Sequence, residues 1–188
     1  MIKKIQNFII SFKYCYLYIP IIFLLSTCKE NQITENNNSF SGITVRDKFG
    51  NISSNDPDDW KNDSDWKYND IYNSLKDSIK VFQLPDSLDN DSRPANFQIS
   101  AFPNPCSSEI NIDIAFPTYC EAFVVIIDNS SNVILKILMR YIDPGFHAFV
   151  FQNLTLPNGI YRCIYRLEDK MTGKYGTYNG HGDIEVKK

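Results

Sequence analysis

The stretch EINIDIAF, residues 109–116, alternates apolar and polar side chains one by one. Ile110, Ile112, Ile114 and Phe116 fall on one side, and Asn111, Asp113 and Ala115 on the other. Successive side chains leave an extended backbone on opposite faces, so a two-residue repeat specifies a half-buried strand. The same period recurs in FQISAF, VILKILMRYI, FHAFVFQ and IYRCIYRLED, and KYGTYNGHGDIEVKK closes the chain. In IYRCIYRLED, Tyr161, Cys163, Tyr165 and Leu167 share a face while Arg162 and Arg166 point the opposite way. AFVVIID is apolar at both parities, which predicts a strand covered on both faces. Turn chemistry separates the runs: Pro117-Thr118, Asp128 to Asn132, Asp143-Pro144-Gly145, Leu156-Pro157-Asn158-Gly159 and Thr172-Gly173. No helical pattern lies between them. About seven short strands with such spacing predict an all-β domain over residues 96–188, two antiparallel sheets packed face to face.

The remainder of the chain has a different composition. Residues 1–28 carry Lys3, Lys4 and Lys13 and no acid, whereas residues 29–95 hold 8 basic and 13 acidic side chains. The total of −3 gives no polyanion-binding surface, so nucleic acid is not an expected partner. Lys3 and Lys4 precede an apolar stretch that ends in small residues, the pattern of a signal peptide. From Tyr14 to Thr27 the stretch is too short to span a bilayer, and Lys13 and Pro20 interrupt the longer run.

Leu25-Ser26-Thr27-Cys28 resembles a bacterial lipobox, with Leu three residues before the cysteine and a hydroxyl residue in place of the usual smaller one just before it. The resemblance implies that residues 1–27 are removed and that Cys28 carries the lipid. Acyl chains would then tie the chain to a membrane, at about 0.8 kcal/mol per buried CH₂. The expected location is the cell envelope, as an outer-membrane lipoprotein on either side, with secretion as the alternative. Residues 28–95 read as an acidic, Asn- and Ser-rich tether with a partly ordered strip. Within it Ile71, Leu75, Ile79 and Phe82 recur near helical spacing, which fits either a short amphipathic helix or an irregular strip laying its aromatics on the following domain.

Metal and redox chemistry have little support. Cys106, Cys120 and Cys163 remain after the signal, an odd number without CxxC spacing, and His147 and His181 show no ligand spacing with them. They read as small buried apolar residues, and sequence does not choose a disulfide pair among them. The acids of NDPDDWKNDSDWKYND lack the glycine that a calcium loop needs for its bend. No cofactor or metal is expected.

Several landmarks between residues 96 and 188 occur in the order of a known pair of modules. Phe102-Pro103-Asn104-Pro105 resembles their "YPNP" opening, and Val124 to Asp128 resembles a strand ending in "I-Y-D". Pro144-Gly145-Phe146-His147 is similar to their "AG-x-H/Y" turn, and Leu156 to Tyr161, with Gly159 and Tyr161, to "LPSGVY". These modules are the immunoglobulin-like domain of flagellar hook-capping proteins and the C-terminal sorting domain of type IX secretion cargo. The resemblance covers residues 96–188 and, loosely, 43–60. Ser131 and Asn132 replace the glycine that usually follows "I-Y-D", and Cys106 takes a place usually held by an aromatic or small residue. The resemblance implies an immunoglobulin-like sandwich and either recognition by the type IX export machinery or a stable display module.

No G-x-S-x-G, H-E-x-x-H or phosphate-binding glycine loop occurs, so an enzyme is not expected. The reading is a non-enzymatic, lipid-anchored envelope protein for display or protein–protein interaction. The alternative is glycan binding, with Trp60, Trp66 and Tyr68 stacking on sugar rings from an exposed face.

Overall fold

A computed structural model describes residue 40 and residues 42–81 and 93–188. Residues 1–39, which include the expected signal segment, Leu25, Ser26, Thr27, Cys28 and the start of the expected tether, lie outside the described residues.

The segment before residue 96 contributes β1 (Val45–Arg46), β2 (Ile52–Ser54), the short helix α1 (Asn69–Leu75) with a 3-10 turn at Lys76–Ser78, and β3 (Lys80–Val81). Then follow β4 (Gln98–Phe102), β5 (Glu109–Phe116), β6 (Cys120–Ile127), β7 (Val133–Ile142), β8 (Gly145–Gln152), β9 (Gly159–Asp169) and β10 (Thr177–Val186). β1 and β2 form a small ribbon of their own. A five-stranded sheet has the order β10-β9-β6-β7-β3, and a three-stranded sheet the order β4-β5-β8. All pairings are antiparallel except β3 with β7, where Lys80 lies beside Met139 and Val81 beside Arg140. That parallel pair corrects the expectation of purely antiparallel sheets. β3 comes from outside the alternating region and enters beside β7 in the same direction.

One apolar core joins the two larger sheets. Ile110, Ile112, Ile114 and Phe116 of β5 are at most 1% exposed, and they meet Ala122, Val124 and Ile126 of β6 and Tyr161, Cys163, Tyr165 and Leu167 of β9. Each such large side chain contributes about 1.5–3 kcal/mol through burial. The second apolar parity of β6 has its own cover. Phe123, Val125 and Ile127, with Ile164 of β9, are buried under Trp66 and Ile79, flanked by Tyr72 and Leu75. Tyr72 meets the Phe123 ring edge-on at 5.2 Å.

Residues 42–81 are therefore part of the folded body and not a tether: all the described residues belong to one compact unit. Of the helical-period residues, Ile71 and Leu75 lie on α1 and are half-buried, and Ile79 is buried after the 3-10 turn. Phe82 lies outside the described residues. The sequence pattern of a strip laid on a sheet holds, but the strip is a cover for β6 and β9.

Candidate functional site

The two sides of the molecule are finished differently, and the difference defines the candidate site. On one side the edge strand β10 is sealed. The backbone N–H of Trp60 donates to the His181 carbonyl at 2.8 Å, and that of Asp63 to the Asn179 carbonyl at 2.6 Å. Asp183 N–H donates to Asp59 Oδ1 at 3.0 Å, and Asn179 N–H to Asn62 Oδ1 at 3.0 Å. Farther along, Cys106 N–H bonds the Glu185 carbonyl at 2.8 Å and Lys187 N–H the Cys106 carbonyl at 2.7 Å. An exposed strand edge is a template for pairing with other chains, and this one is used up internally.

Asn104 is the clamp of that seal. It is fully buried, and its amide donates to the carbonyls of Thr44 at 3.0 Å and Asp183 at 2.8 Å. Its Oδ1 accepts the Glu185 N–H at 2.8 Å, and its backbone exchanges two bonds with Arg46. The flanking peptides Phe102–Pro103 and Asn104–Pro105 are both cis. The other landmark residues are structural too. Asp128 accepts the N–H groups of Ser130 and Asn132 and closes the β6–β7 turn, in which Ser131 has a φ of 63°. Tyr161 donates its hydroxyl to the Pro157 carbonyl at 3.0 Å. Gly145, at φ 137°, opens β8 with a backbone conformation that side chains disfavour, and Gly159 opens β9.

Trp60 and Trp66 are 8% and 9% exposed, which removes them as sugar-stacking platforms. Trp60 stacks on Tyr165 with ring centroids 6.3 Å apart, in the slot left by Gly182 on β10, and the space at Gly180 takes the Lys61 carbonyl and the Tyr165 hydroxyl. Tyr165 adds a hydrogen bond to the Lys61 carbonyl at 2.8 Å, and Tyr178 one to that of Trp60 at 3.1 Å. Trp66 meets Tyr68 and Tyr72 edge-on on the opposite face of the same sheet, with the Arg166 guanidinium over its ring. Tyr68 is half-buried, and its hydroxyl takes a bond from Arg162 at 3.0 Å. The correction has a simple cause: large aromatics in an acidic loop gain more from the sheet than from water.

Over the sealed edge lies an open depression of about 630 Å³, lined by Asp56, Asp59, Asp63, Arg162, His181 and Asp183 among others. Its charges are largely committed. Arg162 grips Asp183 with Nε and Nη2 at 2.8 and 2.7 Å, a fork-to-fork pair. Burial works against the guanidinium charge, but Asp183 more than offsets it and holds Arg162 above its ordinary range. Burial, and then Arg162, hold the His181 imidazole below its own. Asp59 accepts backbone N–H groups from Thr44 and Asp183, and burial pushes its carboxyl up to about 6. Among the described residues no group of His, Cys, Asp or Glu is placed to hold a metal ion. Cys106, Cys120 and Cys163 are unpaired and buried, and burial raises each thiol. They pack as apolar residues.

On the other side β8 ends the three-stranded sheet, and among the described residues no strand lies on its second side. Its inward-facing Phe149 and Phe151 are only half-buried. Leu135 and Met139 of β7, packed against the same core, are half-buried as well, and β3 pairs with β7 only at Met139 and Arg140. On the outer face Phe146 is 64% and Val150 51% exposed. β7 carries Lys136 and Arg140, the charges that discourage edge pairing, but GFHAFVFQ has no acid, lysine, arginine or proline. His147 turns its Nε2 to the Asp143 carbonyl at 2.9 Å.

Sequence reasoning reads β8 correctly as a strand but gives it no role. The available signal is its composition, apolar at nearly every position, which predicts cover on both faces where the described residues supply only part of it. Neither Asn104 nor Asp59 is legible as a clamp, because their partners lie up to 81 and 124 residues away. No helix among the described residues is long and apolar enough to cross a membrane. No family model, no curated protein and no solved structure matches this chain.

Proposed function

We propose that this chain is a non-enzymatic, lipid-anchored envelope protein that offers the free side of β8 to an extended segment of a partner protein. The observation that carries the reading is the pairing of half-buried Phe149 and Phe151 with exposed Phe146 and Val150 on one strand that, among the described residues, has no strand on its second side. An added strand would satisfy the β8 backbone and complete the cover of the core, the logic of β-augmentation. The division into β4-β5-β8 and β10-β9-β6-β7 supports reading the body as an immunoglobulin-like sandwich with β3 added at one edge. Anchoring at Cys28 rests on the lipobox-like Leu25-Ser26-Thr27-Cys28. Type IX export machinery and other envelope proteins are the partner classes this reading admits.

Two measurements test it. A photoreactive amino acid at Val150, in the full chain in cells, is expected to give discrete protein adducts, whereas one at exposed Met171 is not. No adduct at Val150 overturns the interaction reading. Mass spectrometry of the native N-terminal peptide is expected to find acylated Cys28, and an unmodified or uncleaved N-terminus overturns the anchor. Export has a separate test, since a periplasmic reporter fused to residues 29–188, which keep the whole described body, that stays periplasmic removes it.

A further inference from the structure

We infer that the partner protein seats a lysine or arginine side chain on Asp113, reached across Ala148 on the outer face of the three-stranded sheet. The inference rests on the interaction reading above and gives the partner's chemistry.

Strand pairing lays out that face. Asp113 stands opposite Ser100 of β4 on one side and Ala148 of β8 on the other, and Ala148 falls between exposed Phe146 and Val150. The three strands, QISAF, EINIDIAF and GFHAFVFQ, contain no lysine or arginine. Their two acids, Glu109 and Asp113, share the outer parity. Glu109, at the end of its strand, takes a hydrogen bond from Gln152 at 3.1 Å. Asp113, in the middle of the face, is half-buried; its Oδ1 is shut off from water, and no described residue bonds that atom. Burial raises its carboxyl above the ordinary range. An acid that serves solubility stands in water, whereas a desolvated one without a partner costs stability until a cation or donor reaches it.

The chain itself has little to offer there. The β1–β2 turn reaches this face with Gly50 against the Phe102 ring, but its Lys48 lies over the Phe49 ring. Residues 82–92 contain three acids and no lysine or arginine.

The route from β8 suits a basic side chain. A segment paired with β8 lies two strand spacings, about 10 Å, from β5. A lysine or arginine on its outward parity, opposite Ala148, leans over a methyl group, and Phe146 and Val150 cover its apolar stem. From the β4 side the same reach is flanked by polar Gln98 and by Phe102, which already has the Gly50 turn against it. A cation held between apolar side chains on a half-buried carboxylate has the make-up of an interface anchor.

The test again places the photoreactive residue at Val150 of the full chain in cells, with and without Asp113→Asn. The variant is expected to lower the yield of the partner adduct about tenfold, the equivalent of about 1.4 kcal/mol. The urea midpoint of the purified variant should hold or rise, because an unpaired charge is gone. Mass spectrometry of the adduct should find a lysine or arginine close to the joined residue of the partner. Replacing that base with glutamine should give the same tenfold loss against the parent chain and no further loss against Asp113→Asn. A yield unchanged by Asp113→Asn, or an adduct with no such base, overturns the inference and leaves the interaction reading standing. A yield that falls in step with the urea midpoint makes Asp113 a structural residue and has the same consequence. Adducts made only of this chain overturn the inference, and the absence of any adduct overturns both.

Discussion

The indole of Trp60 occupies the space that a side chain at Gly182 would fill. A Cβ added there would fall on the ring, and one at Gly180 would fall on the Lys61 carbonyl. The two glycines stand on one face of β10, so the strand gives up two side chains to admit a residue more than a hundred positions earlier. Gly182→Ala is expected to destabilise the fold by about 1–3 kcal/mol through overpacking, read as a lower urea midpoint. Its tryptophan emission should shift to the red as Trp60 is displaced. In the parent protein both tryptophans should resist quenching by acrylamide; free access of the quencher would contradict their burial.

Asn104 joins three stretches of chain through its side chain alone. Asn104→Ala leaves the carbonyls of Thr44 and Asp183 and the N–H of Glu185 without partners. Each buried orphan costs about 1–3 kcal/mol, so a loss of at least 3 kcal/mol or so is expected. Asn104→Asp keeps the shape and the acceptor but removes both donors and buries a charge. It should be no more stable than the alanine variant in chemical denaturation, and a near-neutral aspartate would contradict the clamp.

Arg162 and Asp183 are 10% and 3% exposed at their side chains, so neither charge has much water to fall back on. Arg162→Met strands the carboxylate and is expected to cost about 3–5 kcal/mol. Adding Asp183→Asn to that variant should recover part of the loss, because the uncompensated charge is gone. Equal stability of the single and double variants would show that the pair is not what the fold depends on there.

Asp59 gives a pH dependence with a defined sign. Its carboxyl sits at about 6 in the fold against an ordinary 3.8, chiefly because burial disfavours the anion. The native state therefore holds the proton more tightly than the unfolded chain does. The stability from this group is fully present below about 3.8 and is lost as pH rises to about 6. Urea midpoints of the parent should decline across that window relative to Asp59→Asn, which has no proton there to lose. A parent-to-variant difference that stays flat between these values would remove Asp59 as the titrating group. Asp183, Arg162 and His181 stand nearby, and His181 contributes with the opposite sign, which is why the comparison is with the variant.

The strands themselves are legible in the sequence because their cause is local. Alternation in EINIDIAF, the turn residues at Asp143-Pro144-Gly145 and Asn158-Gly159, and the apolar parities of AFVVIID each follow from the geometry of a few consecutive residues, and β5 to β10 begin and end close to where those signals lie. The tertiary structure alone decided what covers what. Trp60 and Trp66 look alike in the sequence, two aromatics in an acidic stretch, yet one fills the glycine slot of β10 and the other caps the opposite face of the sheet. Asn104 reads as part of a turn and is a buried junction, since its partners at Thr44, Asp183 and Glu185 are brought to it only by folding. β8 is the same case reversed: its alternation makes it a strand, but whether its second side is covered depends on the ends of two sheets that no local pattern records. Short-range periodicity fixes the backbone path, because side-chain direction is set residue by residue. The choice of neighbour belongs to contacts between distant segments, where burial and hydrogen bonding are settled only in three dimensions.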